Sequence, residues 1–242
     1  MKINWLLIKN TILGGFTIFL VGFTNKRFDA RKPERINIVF EGKSKQFMTD
    51  SMVNKLLIQK NRNVSSFSYS EVDLNGIEHR LKNNPYVRDA QVYMTINKTI
   101  EVEVTQKTPI ARVAADRAFY LDEAGNKMPL SPNFSARVIL IDGMIDKKNR
   151  DGAYALVREI NNDPFLKQIF IGVQCLENKR FLLIPRKFDY EVYFGAAVDV
   201  KQKLKNYKSF FQYAEMKNLH NQYEKINLQF KNQIVCTKKI KS

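Results

Sequence analysis

Between residues 90 and 104 the chain alternates twice. Ala90, Val92, Met94 and Ile96 interleave with Gln91, Tyr93 and Thr95; Ile100, Val102 and Val104 interleave with Glu101 and Glu103. A period of two sustained over consecutive runs means two strands, each with one face in a core. A slip of one residue would carry every side chain to the opposite face, so the pairing must keep the apolar sets together. A two-residue loop at Asn97-Lys98 would set Met94 opposite Glu101. An odd connection, Asn97-Lys98-Thr99, instead pairs Ile96 with Ile100 and Met94 with Val102. A hairpin of this kind is not stable alone and needs an apolar cover on one face.

The cover is written upstream. Leu74, Ile77 and Leu81 share one face of a helix over 74–83, with Asp73 at its N-cap. Pro85 ends that helix, because it lacks an amide hydrogen and pushes Asn84 out of the α region. Tyr86 and Val87 then fall at a helix-to-strand corner. A shorter helix is predicted near 49–57, capped by Thr49 and apolar at Val53, Leu56 and Leu57. Ile36–Phe40 reads as a strand closed by Glu41-Gly42, and 59–71 as a polar loop. The order over 35–112 is β-α-α-β-β, a three-stranded sheet with two helices on one face.

Residues 113–242 read as a second, mostly antiparallel β domain with flanking helices, which makes the chain α+β. Phe119–Met128 gives strand, Gly125 turn, strand, and another strand runs from Arg137 to Ile141. A helix over 151–162 takes its apolar positions from Ala153, Tyr154, Leu156, Val157 and Ile160, with Pro164 just beyond its end. Strands follow at 169–176, 180–184 and 190–194. Asp199 opens a helix, with Gln202 placed for a capping box and an apolar stripe at Val200, Leu204, Tyr207, Phe211 and Ala214. Lys201, Lys205 and Lys208 face away as a solvated face. The chain closes with a strand from Ile226 to Phe230, a turn, and Ile234 to Cys236.

The segment 5–23 is different in kind. From Thr11 to Phe23 it carries no charge, and counted from Trp5 it reaches about 19 residues, enough for a bilayer's hydrocarbon core. No small-residue cleavage site follows, as a signal peptide requires, and no polar face marks it as a soluble helix. It is expected to be a single transmembrane helix, with Lys9 snorkelling and residues 1–10 as a short cytoplasmic N-terminus. Counting Lys26, Arg27, Arg31 and Lys32 after the span against Lys2 and Lys9 before it argues for the opposite orientation. That rule is weak for long domains.

The net charge of +16 implies contact with something anionic. Nucleic acid is not expected beside a membrane anchor, and no zinc or RNA-binding motif appears. No metal, cofactor or small-molecule substrate is expected. His79 and His220 stand in polar surroundings away from any nucleophile motif, and Glu101 with Glu103 is not an acid–base pair. Cys175 and Cys236 are far apart, and spacing leaves both a disulfide and two free thiols open.

The β-α-α-β-β order resembles a POTRA module, and the run from Leu81 to Val113 resembles the FtsQ/DivIB family of bacterial cell-division proteins. The resemblance is carried by Asn84-Pro85-Tyr86-Val87, the hairpin, and Thr108-Pro109-Ile110-Ala111. Downstream it continues through Tyr193-Phe194-Gly195, the helix holding Lys203-Leu204, and Ile226–Phe230. Where the family often has Val-Asp-Leu-Arg-Tyr, this chain has Asn227, Gln229 and Phe230. The resemblance implies a non-catalytic bitopic divisome scaffold in the cytoplasmic (inner) membrane at the division septum, its bulk periplasmic. It implies control of septal peptidoglycan synthesis and partners resembling FtsB and FtsL. The expected means is strand addition at the closing strand, through Ile226, Leu228, Phe230, Lys231, Gln233 and Val235. Lys231, Lys238 and Lys239 would favour an acidic partner segment. Asn84, Pro85, Tyr86, Val87 and Pro109 are expected to be structural. The alternative is a POTRA-bearing factor for outer-membrane protein assembly or secretion.

Overall fold

The computed structural model describes residues 5–29, 32–42, 47–59, 62–63 and 71–240. It divides into two compact units, Met1–Gln106 and Lys107–Ser242. The division falls ahead of the boundary expected after residue 112.

In the first unit a helix, α1 (Trp5–Asp29), precedes β1 (Arg35–Glu41), α2 (Asp50–Leu56), a two-residue ribbon of β2 (Ile58–Gln59) with β3 (Arg62–Asn63), α3 (Leu74–Lys82), β4 (Val87–Met94) and β5 (Thr99–Gln106). The rest of the polar loop expected at 59–71 lies outside the described residues, as do residues 1–4. The sheet order is β1-β5-β4, with β1 parallel and β4 antiparallel to the central β5. Thr49 and Asp73 cap α2 and α3 by accepting from Met52 N and Gly76 N. Ile77 and Leu81 press onto the sheet beside Ile100, Val102 and Val104, all fully buried. At the corner, Asn84 Oδ1 accepts from Tyr86 N at 3.0 Å, and the buried Tyr86 ring stacks on Phe47. Gln106 Oε1 accepts from Phe47 N and Met48 N, tying the approach to α2 to the end of β5.

The hairpin keeps the expected faces but not the expected register. Met94 stands opposite Ile100 and Val92 opposite Val102, and Thr95 N donates to Thr99 O. The loop has three residues but lies one position earlier, at Ile96-Asn97-Lys98, because Lys98 takes the left-handed conformation (φ 63°) that closes such a turn. Ile96 therefore leaves the strand and is 85% exposed.

Along α1, Ile12, Leu13, Phe16, Ile18, Phe19, Leu20, Val21 and Phe23 are all exposed. Residues 5–8 and 25–29 have no described side chains. Over the side chains that are described, no helix is long and apolar enough to cross a membrane.

The second unit is one nine-stranded mixed sheet. Its strands are β6 (Pro109–Val113), β7 (Phe119–Asp122), β8 (Lys127–Pro129), β9 (Ile139–Gly143), β10 (Phe170–Cys175), β11 (Arg180–Pro185), β12 (Glu191–Ala196), β13 (Tyr223–Asn227) and β14 (Val235–Lys238). The order is β14-β13-β12-β11-β10-β9-β6-β7-β8. Neighbours are parallel at β6–β9, β9–β10 and β12–β13 and antiparallel elsewhere among the described residues. Pro109 is thus the buried first residue of this sheet and not part of the POTRA-like unit.

Three helices serve the parallel crossovers: α4 (Lys147–Asn162) and α5 (Pro164–Ile169) between β9 and β10, and α6 (Val200–Met216) between β12 and β13. α4 starts before the expected residue 151 because Asp146 caps it through Asn149 N. Pro164 does not lie in a loop: it is the first residue of α5, where its missing amide costs nothing, with Asp163 as the cap. Ala153, Leu156, Val157, Ile160, Leu204, Tyr207 and Phe211 pack with Val173, Phe181, Leu183, Val192, Phe194 and Ile226 into the core.

Candidate partner-binding edge

β12, α6, β13 and β14 form the closing part of the sheet. Lys203, buried on α6, donates from Nζ to Phe194 O at 3.2 Å and Ala196 O at 3.0 Å, pinning the helix to the end of β12. Burial pushes its pKa down, with nearby Asp199 opposing. Between them Gly195 turns the chain at φ 72°, a conformation that side-chain-bearing residues rarely adopt. Asp199 does not form the expected capping box. It sits in the left-handed region (φ 49°, ψ 37°), makes no side-chain cap bond, and its carboxylate lies 3.6 Å from Lys231 Nζ. Gln202 instead donates to Asn206 Oδ1. Asn206 Nδ2 in turn donates to Lys231 O at 2.8 Å, so α6 holds the β13–β14 turn from below.

The core beneath is aromatic. His220 is not a surface residue; it is 5% exposed, with Phe188 stacked on it at 4.1 Å and Phe211 at 4.6 Å. Its Nδ1 is 3.2 Å from Tyr190 OH, which is 3.1 Å from Tyr207 OH. Glu215 Oε2 lies 3.2 Å from Nε2 but is poorly aligned for a hydrogen bond. Burial lowers the His220 pKa, with Glu215 opposing. Burial also raises Tyr190 to about 12 and, more strongly, Tyr207. This buried cluster braces β13 against α6. Both cysteines are free. Cys175 is on β10, its thiol raised to about 11 by burial, and Cys236 is on β14.

The two edges of the sheet differ. β8 is three residues long and ends in Pro129, which cannot donate to an incoming strand. β14 has proline nowhere, and among the described residues no strand lies on its outer side. The closing strand itself, Tyr223–Asn227, is paired on both sides, by β12 in parallel and β14 antiparallel. Of the expected edge at 226–236, the part in β13, Ile226 and Asn227, is therefore interior, because the chain turns back and covers it with β14.

The six expected contact residues separate accordingly. Ile226 and Leu228 are core residues, and Leu228 N donates to Tyr193 O. Phe230 and Lys231 stand exposed on the turn, Gln233 follows exposed, and Val235 opens β14; Phe230 is 41% and Val235 44% exposed. Asn227 occupies the family's acidic position and uses its Oδ1 to accept from Gln229 N, a bond an aspartate would also make. Sequence reasoning named Lys203 only within the family resemblance and missed its buried role, and it missed Asn206. The buried role of Lys203 could have been found, since it shares the helical stripe with Val200 and Tyr207.

Residues 108–237 match the family described as FtsQ/DivIB, C-terminal related, and residues 32–105 match the POTRA-like domain. The cell division protein DivIB of Clostridium tetani is 22% identical over 159 residues, covering 65% of this chain and 54% of that protein. The chain thus spans about half the length of this curated relative. The structure of the major extracytoplasmic domain of DivIB from Geobacillus stearothermophilus covers 46% of this chain and 95% of that one. It does so at 16% identity and a TM-score of 0.33, too low to bear on the fold.

Proposed function

The chain belongs to the FtsQ/DivIB family, and from that premise we propose that it is a bitopic, non-catalytic scaffold of the division machinery. A segment of a second membrane protein, resembling FtsB or FtsL, adds as a strand to the outer edge of β14. The observation that carries this reading is that, among the described residues, no strand lies on the outer side of β14, while β8 at the other end of the sheet finishes in proline. Main-chain hydrogen bonds supply the docking, while Phe230 and Val235 offer apolar contacts beside Lys231, Lys238 and Lys239. Residues 5–23 anchor the chain. Apolar side chains stand exposed around α1 among the described residues, and a lipid surround would cover them. Both units then stand outside the cytoplasm and transmit partner binding to septal peptidoglycan synthesis.

Depletion of the protein tests the reading. Cells should form filaments, and a chain carrying Phe230→Asp and Val235→Asp should remain in the membrane fraction yet fail to restore septation. Normal septation on depletion would contradict the division role. Full rescue by the double variant would contradict this edge, and recovery of the chain in the soluble fraction would contradict the anchor.

A further inference from the structure

We infer that the second unit carries a separate site for a carboxylate-bearing peptide segment, in the cavity between the start of β6, the approach to β9 and the α4–α5 corner. The cavity measures about 380 Å³, in the range of small-ligand sites. Arg137, Arg158 and Lys167 reach it from three different elements, and Glu123 is the one acid among its lining residues. The ion pairs of this unit among the described residues involve Lys107, Arg150, Arg158, Lys208, His220 and Lys231; Arg137 and Lys167 enter none of them. Among the described residues the ion pair of Arg158 is with Glu159, its neighbour on α4, at 3.6 Å. Three cations gathered in a concavity with so little compensation repel one another, and a carboxylate would relieve that.

The frame around them is fixed. Asn161 Nδ2 donates to Ile110 O and Val157 O, joining β6 to α4. Tyr154 OH donates to Glu123 O at 2.7 Å, and the Arg158 guanidinium rests over the Tyr154 ring at 5.9 Å. Pro109, Ile110 and Val138 supply an apolar part of the lining beside the cations. A glutamate or aspartate side chain matches that combination, with methylenes against the apolar wall and its carboxylate accepting two parallel bonds from an arginine fork. A hydrated inorganic anion would leave the apolar wall unused. The site stands apart from β14 and does not rest on the strand-addition reading.

The full-length chain in detergent micelles, titrated with a fluorescent oligoglutamate peptide, tests the site. Binding should be saturable and weaken as ionic strength rises. Arg137→Ala and Lys167→Ala, both at exposed positions, should each reduce affinity about 10-fold with circular dichroism unchanged. Arg137→Lys should lose less. Lys217→Ala, a charge change elsewhere, should leave affinity intact, as should Phe230→Asp with Val235→Asp. Equal loss in Lys217→Ala would reduce the effect to general positive charge and overturn the site. Complete displacement of the peptide by inorganic phosphate at the same concentration would overturn the peptide assignment.

Discussion

Lys203 brings an ammonium into the core because two carbonyls at the end of β12 need a donor there. Lys203→Met keeps the volume but removes the donor to Phe194 O and one of the two donors to Ala196 O, which Val198 N still serves. Urea denaturation should show a loss of about 1–3 kcal/mol, the usual cost of one buried group losing its partner. His220 gives a second test at this scale. Its folded pKa lies below the usual 6.5, so the unfolded chain binds the proton more readily. Its contribution is complete above pH 6.5 and is lost as pH falls below that value. The wild type should lose stability as pH falls below about 6.5, by at most about 1.4 kcal/mol per pH unit for one proton. His220→Gln should flatten that slope; an unchanged slope would place the titration elsewhere. The two residues differ in legibility. Lys203 shares a helical stripe that the sequence displays, and only its charge concealed it. The rings around His220 come from Phe188 and Phe211, whose approach no local pattern records.

At the scale of elements, alternation and capping carried most of the information. The apolar sets at 90–94 and 100–104 determined which faces meet, and Thr49 and Asp73 cap where expected. Register was not legible to the residue, because it depends on which position accepts φ above zero, and that position is Lys98. Ile96 is the consequence. Ile96→Asp should change stability by no more than about 0.5 kcal/mol, as at an ordinary surface site, whereas Val102→Asp should unfold the first unit. A large loss from Ile96→Asp would restore the other register. The capping box at Asp199 and Gln202 failed for a similar reason. The residue types were right, but the turn after Gly195 delivers Asp199 in a left-handed conformation that faces Lys231.

For the molecule as a whole, the division into two units falls before Lys107, because Pro109 joins the second sheet. The candidate site was legible only as a region. The turn before Ile234–Cys236 was legible, but its consequence was not: the returning strand covers Ile226, so among the described residues the outer edge passes to β14. Strand addition makes a claim about backbone amides, so hydrogen–deuterium exchange on the full chain tests it most directly, with and without the FtsB-like partner. Amides within 235–238 should become protected on binding while those of β8 stay unchanged. A bound partner that leaves exchange at 235–238 unaltered would contradict docking at this edge.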